Sequence, residues 1–307
     1  MLRETVGSLS GEQISNQLDL SRSAVWKAVD TLRKEGYSIQ GVKNRGYKLT
    51  AETEKLSQFG IESALSLYWN DIEVLVFDEL TSTNTLAKQY LADGKSYLIA
   101  SSGQTAGRGR FGRAFYSPAG SGLYFSLAFP WKRKETPVLL TTMAAVAVAK
   151  VLEETFEIEV AIKWVNDLFS KGKKISGILT EAVTDLESGQ TLSLVVGIGI
   201  NLTSPEKGFP PEISGIAGAA TDGSRTINRN ALIADISNEI AETIMKLPSR
   251  AYLDEYRKRC FIIGREVILD SGQVIVAEDI SDDGALIYRE NKEMLELSAG
   301  EINLKEY

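Results

Sequence analysis

Charge is distributed unevenly along this chain of 307 residues, and the division separates a small basic module from a larger acidic body. Residues 1–50 hold eight Lys or Arg against five Asp or Glu, a net charge of +3. The remaining residues hold 26 basic against 36 acidic side chains, a net charge of −10. The length is enough for two or three domains, and a basic module on an acidic body indicates one surface that binds a polyanion.

Several kinds of chemistry are excluded because the chain contains no His and a single Cys, Cys260. A Ser-His-Asp or Cys-His nucleophile, a His-ligated zinc and an imidazole proton shuttle are not possible. Neither is an intramolecular disulfide or a Cys-rich metal site, which fits a reducing compartment. Residues 1–10 lack the apolar core of a signal peptide, and no stretch approaches the run of about 20 apolar residues that spans a bilayer. We therefore expect a cytoplasmic protein without a membrane partner.

The basic module has the pattern of a winged helix-turn-helix. Ser10 and Gln13 form a capping box before a short helix, and Ser21 can cap a second helix that ends at Gly36. A hairpin over residues 37–49 would add a wing with a basic tip. The apolar stripe predicted for the second helix is Val25, Ala28, Val29 and Leu32. The residues predicted to contact DNA are Arg22, Ser23, Trp26, Lys27, Arg33, Lys43 and Arg45.

An alternative interpretation of the same residues is a small helical cap with a solvated charged face. The order of helix, turn, basic helix and basic hairpin favours DNA binding over this alternative. A winged helix usually has a full helix before this pair. Only residues 1–6 are available for it here, so we expect either a short first helix or a truncated start of this module.

A second distinctive segment, residues 101–122, combines six Gly with three Arg and contains no acid. Gly allows the backbone to approach a ligand closely and Arg presents a fixed cationic fork, so the pattern indicates a phosphate or carboxylate ligand. The match of Gly107, Gly109 and Gly112 to a dinucleotide fingerprint is misleading, because a strand-like segment follows and no acid lies about 20 residues further on. A flexible surface loop is disfavoured because clustered Arg side chains repel one another.

Four blocks of sequence together resemble the biotin protein ligases. Residues 103–113, GQTAGRGRFGR, are similar to the family's GRGRxGR signature, and residues 78–84, DELTSTN, to its biotin-binding turn. Residues 163–168, KWVNDL, resemble its KWPND segment, and residues 173–179, KKISGIL, its following strand. The blocks stand in the family's order and the resemblance covers nearly the whole chain. With the winged helix, the chain is most similar to the bifunctional bacterial form, a ligase that also represses the biotin operon.

The resemblance implies an ATP-dependent ligase. Biotin and ATP would form biotinyl-AMP, and biotin would then pass to a lysine of the biotin carboxyl carrier protein of acetyl-CoA carboxylase. It also implies operator DNA as a partner and a homodimer favoured by biotinyl-AMP. Such a reaction needs positioning and charge neutralisation rather than a protein nucleophile, which a chain without His can supply.

The resemblance assigns three overlapping sets of site residues. The residues implied for catalysis are Arg108, Lys174 and Asp167. Those implied for biotin are Ser82, Thr83, Asn84, Gln104, Arg108, Gly109, Arg110 and Lys174. Those implied for ATP and the adenylate are Arg110, Arg113, Phe115, Asn166, Asp167 and Asn201. Asp167 would hold Mg²⁺ or accept a proton from the incoming lysine amine, and no His- or Cys-ligated metal is expected.

Plainer structural roles compete with some of these assignments. Ser82 could be a simple helix N-cap, and Lys174 with its neighbours could belong to a charged hairpin. The chain also departs from the family pattern at three positions: Phe115 stands where Trp is usual, Val165 replaces a Pro, and Lys305 stands at an Arg position. We expect the Gly/Arg loop to order only over bound ligand.

The predicted fold class is a multidomain α+β protein. A winged helix-turn-helix would occupy residues 1–52. A mixed-sheet α/β catalytic domain, resembling class II aminoacyl-tRNA synthetases and lipoate ligases, would occupy 53–260, and an SH3-like β-barrel 261–307. Helices are predicted over 84–92, 137–156, 228–247 and 251–259, and strands over 73–77 and 192–201, with four short strands in the barrel.

Two other functions remain open from the sequence. A lipoate or octanoate ligase on the related fold would need a cavity for a long apolar chain and a different Gly motif. A repressor that binds biotin without catalysis would not need the cationic residues of the Gly/Arg loop.

Overall fold

The computed structural model describes residues 1–2, 5, 7–43, 45–51, 53–185, 187–290 and 293–304. The N-terminal module consists of two helices followed by a two-stranded antiparallel hairpin, as predicted. Its elements are α1 (Gly11–Leu18), α2 (Arg22–Lys34), β1 (Ser38–Val42) and β2 (Gly46–Ala51). The predicted capping box is present, since Ser10 Oγ accepts from the Gln13 N–H and Gln13 Oε1 accepts from the Ser10 N–H. The winged helix-turn-helix prediction is confirmed.

One prediction for this module lies outside the described residues and another is wrong. The short first helix expected within residues 1–6 falls largely on residues that the structure does not describe. Just before α1, Leu9 and Tyr47 of the wing exchange backbone hydrogen bonds of 2.9 and 2.7 Å. Gly46 permits this approach, because a Cβ there would lie 2.0 Å from the Leu9 carbonyl oxygen. Ala28, predicted as part of the apolar stripe, is exposed. Val29 packs with Tyr37 and Ile39 instead, so the wing completes the small core.

A seven-stranded mixed sheet forms the centre of the protein. Its strands lie in the order β3-β4-β5-β9-β8-β7-β6, with β3 and β4 parallel and all other neighbours antiparallel. Their bounds are β3 (Ile72–Phe77), β4 (Ser96–Ser101), β5 (Gly122–Pro130), β6 (Ala161–Lys163), β7 (Asp167–Ser170), β8 (Lys173–Thr184) and β9 (Thr191–Asn201). The predicted mixed-sheet architecture is confirmed.

Helices pack on both faces of this sheet. The α-helices of this part are α3 (Gln58–Glu62), α4 (Thr83–Tyr90), α5 (Pro137–Phe156), α6 (Pro211–Ser214), α7 (Arg229–Met245) and α8 (Ala251–Arg259). The long helix α5 has the predicted bounds, because Thr136 caps it and Pro137 occupies its first turn. Helix α4 begins one residue earlier than predicted and ends at Tyr90, where a short 3₁₀ turn follows.

The alternating side chains of β9 divide the interior into two parts. Leu194, Val196 and Ile198 belong to the large core formed with α5, α7 and α8, whereas Val195 belongs to a smaller cluster beneath α4. A strand buried on both faces requires a nearly continuous apolar sequence, which this strand has. Toward its end the α4-facing positions are Gly197 and Gly199, so this face of β9 leaves open space.

The C-terminal part is a five-stranded antiparallel sheet in the order β13-β12-β11-β10-β14. Its strands are β10 (Glu266–Leu269), β11 (Val274–Ile280), β12 (Leu286–Glu290), β13 (Glu293–Leu297) and β14 (Ile302–Leu304). The small β-domain is thus confirmed, although β13 was not predicted. Its apolar residues join the large core, and Trp164 Nε1 donates to the Gly284 carbonyl at 3.0 Å. Lys305 lies outside the described residues. None of the helices in the described ranges combines the length and apolar character needed to cross a bilayer.

Residues 53–57 link the wing to the catalytic part. Hydrogen bonds from the first turn of α7 hold this linker in place. Asn230 is buried; its Oδ1 accepts from the Ser57 N–H at 2.9 Å and its Nδ2 donates to the Lys55 carbonyl at 3.0 Å. On the other side, Thr53 Oγ1 donates to the Glu35 carbonyl at the end of α2. The linker therefore bonds to both parts that it joins.

We expect Asn230→Ala to lower the free energy of unfolding by about 1–3 kcal/mol, because it leaves a buried N–H and a carbonyl without partners. Asn238→Ala is a matched control: Asn238 lies on the same helix and bonds in the same way to the Ser66 N–H and the Ala64 carbonyl, but it is less buried than Asn230. Urea unfolding should show a clearly smaller loss for the control. Equal losses would contradict the importance of burial at Asn230.

Candidate active site

A cavity of about 240 Å³ opens on the α4 face of the central sheet, between the Gly/Arg loop, the ends of β8 and β9, and α6. It brings together every residue that the sequence predicted for catalysis, biotin or adenylate. These are Ser82, Thr83, Asn84, Gln104, Arg108, Gly109, Arg110, Arg113, Phe115, Asn166, Asp167, Lys174 and Asn201. The predicted DNA-contacting residues lie apart from it, on α2 and the wing.

The turn before α4 forms the polar end of the cavity. Ser82 does act as the N-cap of α4, accepting from the Thr85 N–H at 3.4 Å, so the plainer structural role is present at this residue. Thr83 and Asn84 are each only 4% exposed. Gln104 Oε1 accepts from the Thr83 N–H at 2.9 Å, which ties the Gly/Arg loop to this turn. The cap at Ser82 thus orients the polar side chains of Thr83 and Asn84 toward the cavity.

The cavity floor depends on three glycines. A Cβ at Gly197 would lie 2.0 Å from Asn84 Oδ1, and a Cβ at Gly199 would lie 2.5 Å from the Phe115 ring. Gly177 on β8 pairs in register with Gly199 and also faces Phe115, at 3.3 Å. Any side chain at Gly197 or Gly199 would collide with these groups. A strand over residues 192–201 was predicted, but this steric role of its glycines was not; the two-residue spacing of Gly197 and Gly199 is the signal that could have indicated it.

The Gly/Arg loop folds back on itself above the cavity. Gly109 N–H donates to the Arg113 carbonyl at 2.8 Å, Phe115 N–H donates to the Gly107 carbonyl at 2.9 Å, and Gln104 N–H donates to the Ser117 carbonyl at 2.9 Å. This arrangement places an aromatic face over the glycine floor even though Phe replaces the family's Trp. Phe111 at the tip is 62% exposed. Ordering of this loop by ligand stays a prediction.

The other end of the cavity is lined by cationic side chains. Two of them form ion pairs with carboxylates. Lys174 Nζ lies 2.6 Å from Asp167 Oδ1, and Arg113 Nη2 lies 2.5 Å from Glu301 Oε2. Glu301 was not predicted as a site residue; it comes from the C-terminal part, next to β14. The Lys174 pair joins β8 to β7 inside the cavity, so Lys174 is more than a residue of a charged surface hairpin.

Arg110 is more weakly partnered than these two cations. Its Nη1 donates to Asn166 Oδ1 at 3.5 Å, which is a long hydrogen bond. Burial lowers the pKa of the Arg110 guanidinium, and the nearby charge of Asp167 only partly opposes this. Burial likewise lowers the pKa of Lys163, again opposed by Asp167. An anionic ligand in the cavity would stabilise these charged forms, so the local electrostatics favour binding of phosphate or carboxylate.

The turn that carries Asn166 and Asp167 is anchored on both sides. Asn166 Nδ2 donates to the Ile178 carbonyl at 2.9 Å, and the Ile178 N–H donates to the Asn166 carbonyl at 3.0 Å. The peptide bond between Trp164 and Val165 is cis, and the buried Tyr256 hydroxyl donates to the Val165 carbonyl. These hydrogen bonds hold the backbone of the turn and the Asn166 side chain at the edge of the cavity.

Metal binding by protein groups alone has little support. No cluster of three or more acidic, His or Cys side chains suited to a metal occurs in the part of the chain that the structure describes. Asp167 and Asn166 nevertheless offer oxygens, the donor type that Mg²⁺ prefers. Mg²⁺ is commonly held by one or two carboxylates together with substrate phosphates. The residues present therefore fit a metal that arrives with a nucleotide.

The candidate DNA surface is built from the exposed side of α2 and the wing. Trp26 is 58% exposed, and Lys27, Lys43 and Arg45 are also exposed. Arg33 Nε donates to the Ile39 carbonyl at 2.8 Å, so this side chain also supports the wing. Arg22 forms an exposed ion pair with Glu12 and Ser23 Oγ lies 2.9 Å from Ser21 Oγ. All seven predicted DNA-contacting residues are thus exposed, and their contact with DNA stays a prediction.

Comparison with known proteins agrees with this architecture. Residues 76–201 match the biotin/lipoate A/B protein ligase family, residues 1–48 an HTH domain, and residues 262–305 the biotin protein ligase C terminal domain. The chain is 37% identical over 235 residues to the bifunctional ligase/repressor BirA of Bacillus subtilis, covering 74% of this chain and 71% of that protein. It is 29% identical over 310 residues to BirA of Escherichia coli, covering 96% and 92% of the two chains.

A solved structure shares the fold of about three quarters of this chain. The biotin protein ligase from Aquifex aeolicus in complex with biotin and ATP matches with a TM-score of 0.64 and 27% identity, covering 76% of this chain and 99% of that chain. The catalytic cavity, the winged module and the C-terminal sheet all agree with these matches, and the chain belongs to the biotin protein ligase family that includes the bifunctional ligase/repressor BirA.

Proposed function

We propose that this chain activates biotin with ATP, transfers it to a lysine of a biotin carboxyl carrier protein, and represses transcription through its winged module. The observation that carries the proposal is a single cavity in which a buried amide end, containing Asn84 and Gln104, meets a cationic end, containing Arg110 and Lys174. The amides suit the polar ureido ring of biotin, and the cations suit its carboxylate and the phosphates of ATP. A lipoate or octanoate ligand has no N–H group that could donate a hydrogen bond to this amide end.

In the first step, a biotin carboxylate oxygen forms a bond to the α-phosphorus of ATP and the bond to the bridging oxygen breaks, releasing pyrophosphate. Arg108 and Arg110 neutralise the charge that develops on the carboxylate and phosphate oxygens. Lys174 can move from Asp167 to a ligand oxygen, since the two groups already lie within a cavity that admits the ligand. Mg²⁺ bound with ATP would contact Asp167 and Asn166 and would add charge neutralisation.

In the second step, the carrier lysine amine attacks the biotinyl carbonyl carbon and AMP leaves. The amine must lose a proton. Asp167 is suitably placed to accept it once Lys174 has engaged the adenylate, because its carboxylate then has no cationic partner at that oxygen. Phe115, seated over Gly199, offers an aromatic face to the adenine.

The repressor half of the proposal concerns coupling between the cavity and the winged module. Biotinyl-AMP would order the loops around the cavity and favour a homodimer. Two winged modules would then reach two operator half-sites. With a carrier protein and operator DNA as its partners, the chain would act in the cytoplasm.

We expect Lys174→Ala to lower kcat/KM for biotinyl-AMP formation by about 10²- to 10³-fold, because one preorganised cation at the reacting oxygens is lost. Pyrophosphate release with biotin, ATP and Mg²⁺ measures the first step, and avidin blotting of a carrier domain measures the second. Lys150→Ala is the matched control, since Lys150 also pairs with a carboxylate at 2.6 Å and is similarly exposed, but lies outside the cavity. Normal activity of the Lys174 variant would contradict its assigned role.

We expect operator affinity to rise when biotinyl-AMP is bound and to fall steeply with salt. Lys27→Ala should weaken binding and reduce the slope of log K against log salt by about 0.9, the contribution of one phosphate contact. Fluorescence anisotropy over a salt series measures both quantities. Lys34→Ala serves as the control, because Lys34 lies on the same helix but pairs with Asp30. Equal affinity with and without the adenylate would argue against the coupling.

A further inference from the structure

Glu181 stands behind the amide end of the cavity and was not assigned any role by the sequence. It lies on β8 and faces α4, where its two carboxylate oxygens accept from two residues of that helix. Oε2 accepts from Asn84 Nδ2 at 2.9 Å, and Oε1 accepts from Lys88 Nζ at 2.5 Å. Asn84 and Lys88 are four residues apart and therefore lie on the same side of α4. Glu181 thus accepts hydrogen bonds from two side chains that lie on the same side of α4.

The hydrogen bonds of Asn84 can be fully counted on its donor side. Its amide nitrogen has two N–H groups, and these donate to Glu181 Oε2 and to the Leu179 carbonyl at 3.1 Å. Its Oδ1 lies 2.6 Å from the Ser126 hydroxyl, which uses one of two lone-pair positions. The Asn84 side chain therefore has no free donor, and it retains one acceptor position at the oxygen that faces Gly197.

Glu181 determines this orientation because an ionised carboxylate can only accept hydrogen bonds. A flipped Asn84 amide would place Oδ1 against the carboxylate and would also lose the bond to the Leu179 carbonyl. Burial disfavours the charged form of Glu181, but hydrogen bonds from Lys88 and Asn84 outweigh this and hold its pKa below the ordinary value. Glu181 consequently stays ionised at neutral pH.

We propose that Glu181 is a positioning residue that presents Asn84 to the cavity solely as a hydrogen-bond acceptor, and so selects a ligand with a ring N–H at that point. The inference rests on the proposed function, in which the ligand is the cyclic urea of biotin. The urea has two N–H groups, and one of them would donate to Asn84 Oδ1. Glu181 does not line the cavity and acts through Asn84.

The test compares the intact protein with Glu181→Ala and Glu181→Gln. For Glu181→Ala we expect the KM for biotin in pyrophosphate release to rise about 10- to 100-fold, because Asn84 loses a charged partner and its orientation. The kcat at saturating biotin and the KM for ATP should stay within about threefold of wild type, since Glu181 does not line the cavity. Glu181→Gln keeps an acceptor for Asn84 and should give an intermediate KM.

A pair of biotin analogues, each methylated at one of the two ureido nitrogens, examines the hydrogen-bond direction itself. Wild type should bind one of the two much more weakly than biotin in calorimetry, and Glu181→Ala should lose most of this discrimination. Glu239→Ala is the matched control, because it removes a Lys–Glu pair of 2.6 Å outside the cavity and should leave the KM for biotin unchanged.

Three results would overturn the inference: a KM within twofold of wild type for folded Glu181→Ala, unchanged discrimination between the analogues, or equal wild-type binding of biotin and both analogues. If Glu181→Ala does not fold, Glu181→Gln decides by the same criteria. A wild-type protein that forms no biotinyl-AMP would instead contradict the proposed function. That outcome is recognised before any variant is compared.

Discussion

The position of β9 between β5 and β8 is the constraint on which the rest of the structure depends. Because this strand is buried on both faces, one set of its side chains must complete the core with α5 and the other must face α4. Gly197 and Gly199 occupy the second set near the end of the strand. Their missing side chains make room for Asn84 and Phe115, so the same pairing that stabilises the sheet also creates the cavity.

Around that cavity, cations and carboxylates form ion pairs that a bound ligand can replace. Lys174 pairs with Asp167 and Arg113 pairs with Glu301, whereas the described partners of Arg110 are a long hydrogen bond to Asn166 and the Phe111 ring. Burial raises the free-energy cost of an unpaired charge. Binding of an anionic ligand is therefore most favourable beside the cation whose protein partners are weakest. This explains how a chain without His can support acyl activation: fixed cations, amides and a carboxylate supply what the reaction requires.

Much of the fold could be predicted because its signals are local. The cap at Thr136, the proline after it and the long apolar run defined α5, and the alternation of short strands indicated the C-terminal sheet. The failures arose where neighbours decide the outcome. Just before α1, Leu9 pairs with Tyr47 of the wing, and β13 was missed because its apolar pattern is weak: within it only Leu295 and Leu297 are partly buried.

The sequence alone determined the class of protein and nearly all the polar groups of the cavity, because glycine spacing, arginine clustering and helix caps are encoded within a few residues. Only the tertiary structure decided which of these groups meet. Arg113 reaches Glu301 across 188 residues of sequence, and Asn84 reaches Glu181 across 97. Such contacts depend on strand register and on packing between distant segments. A local pattern carries no information about either, which is why the sequence analysis missed both carboxylates.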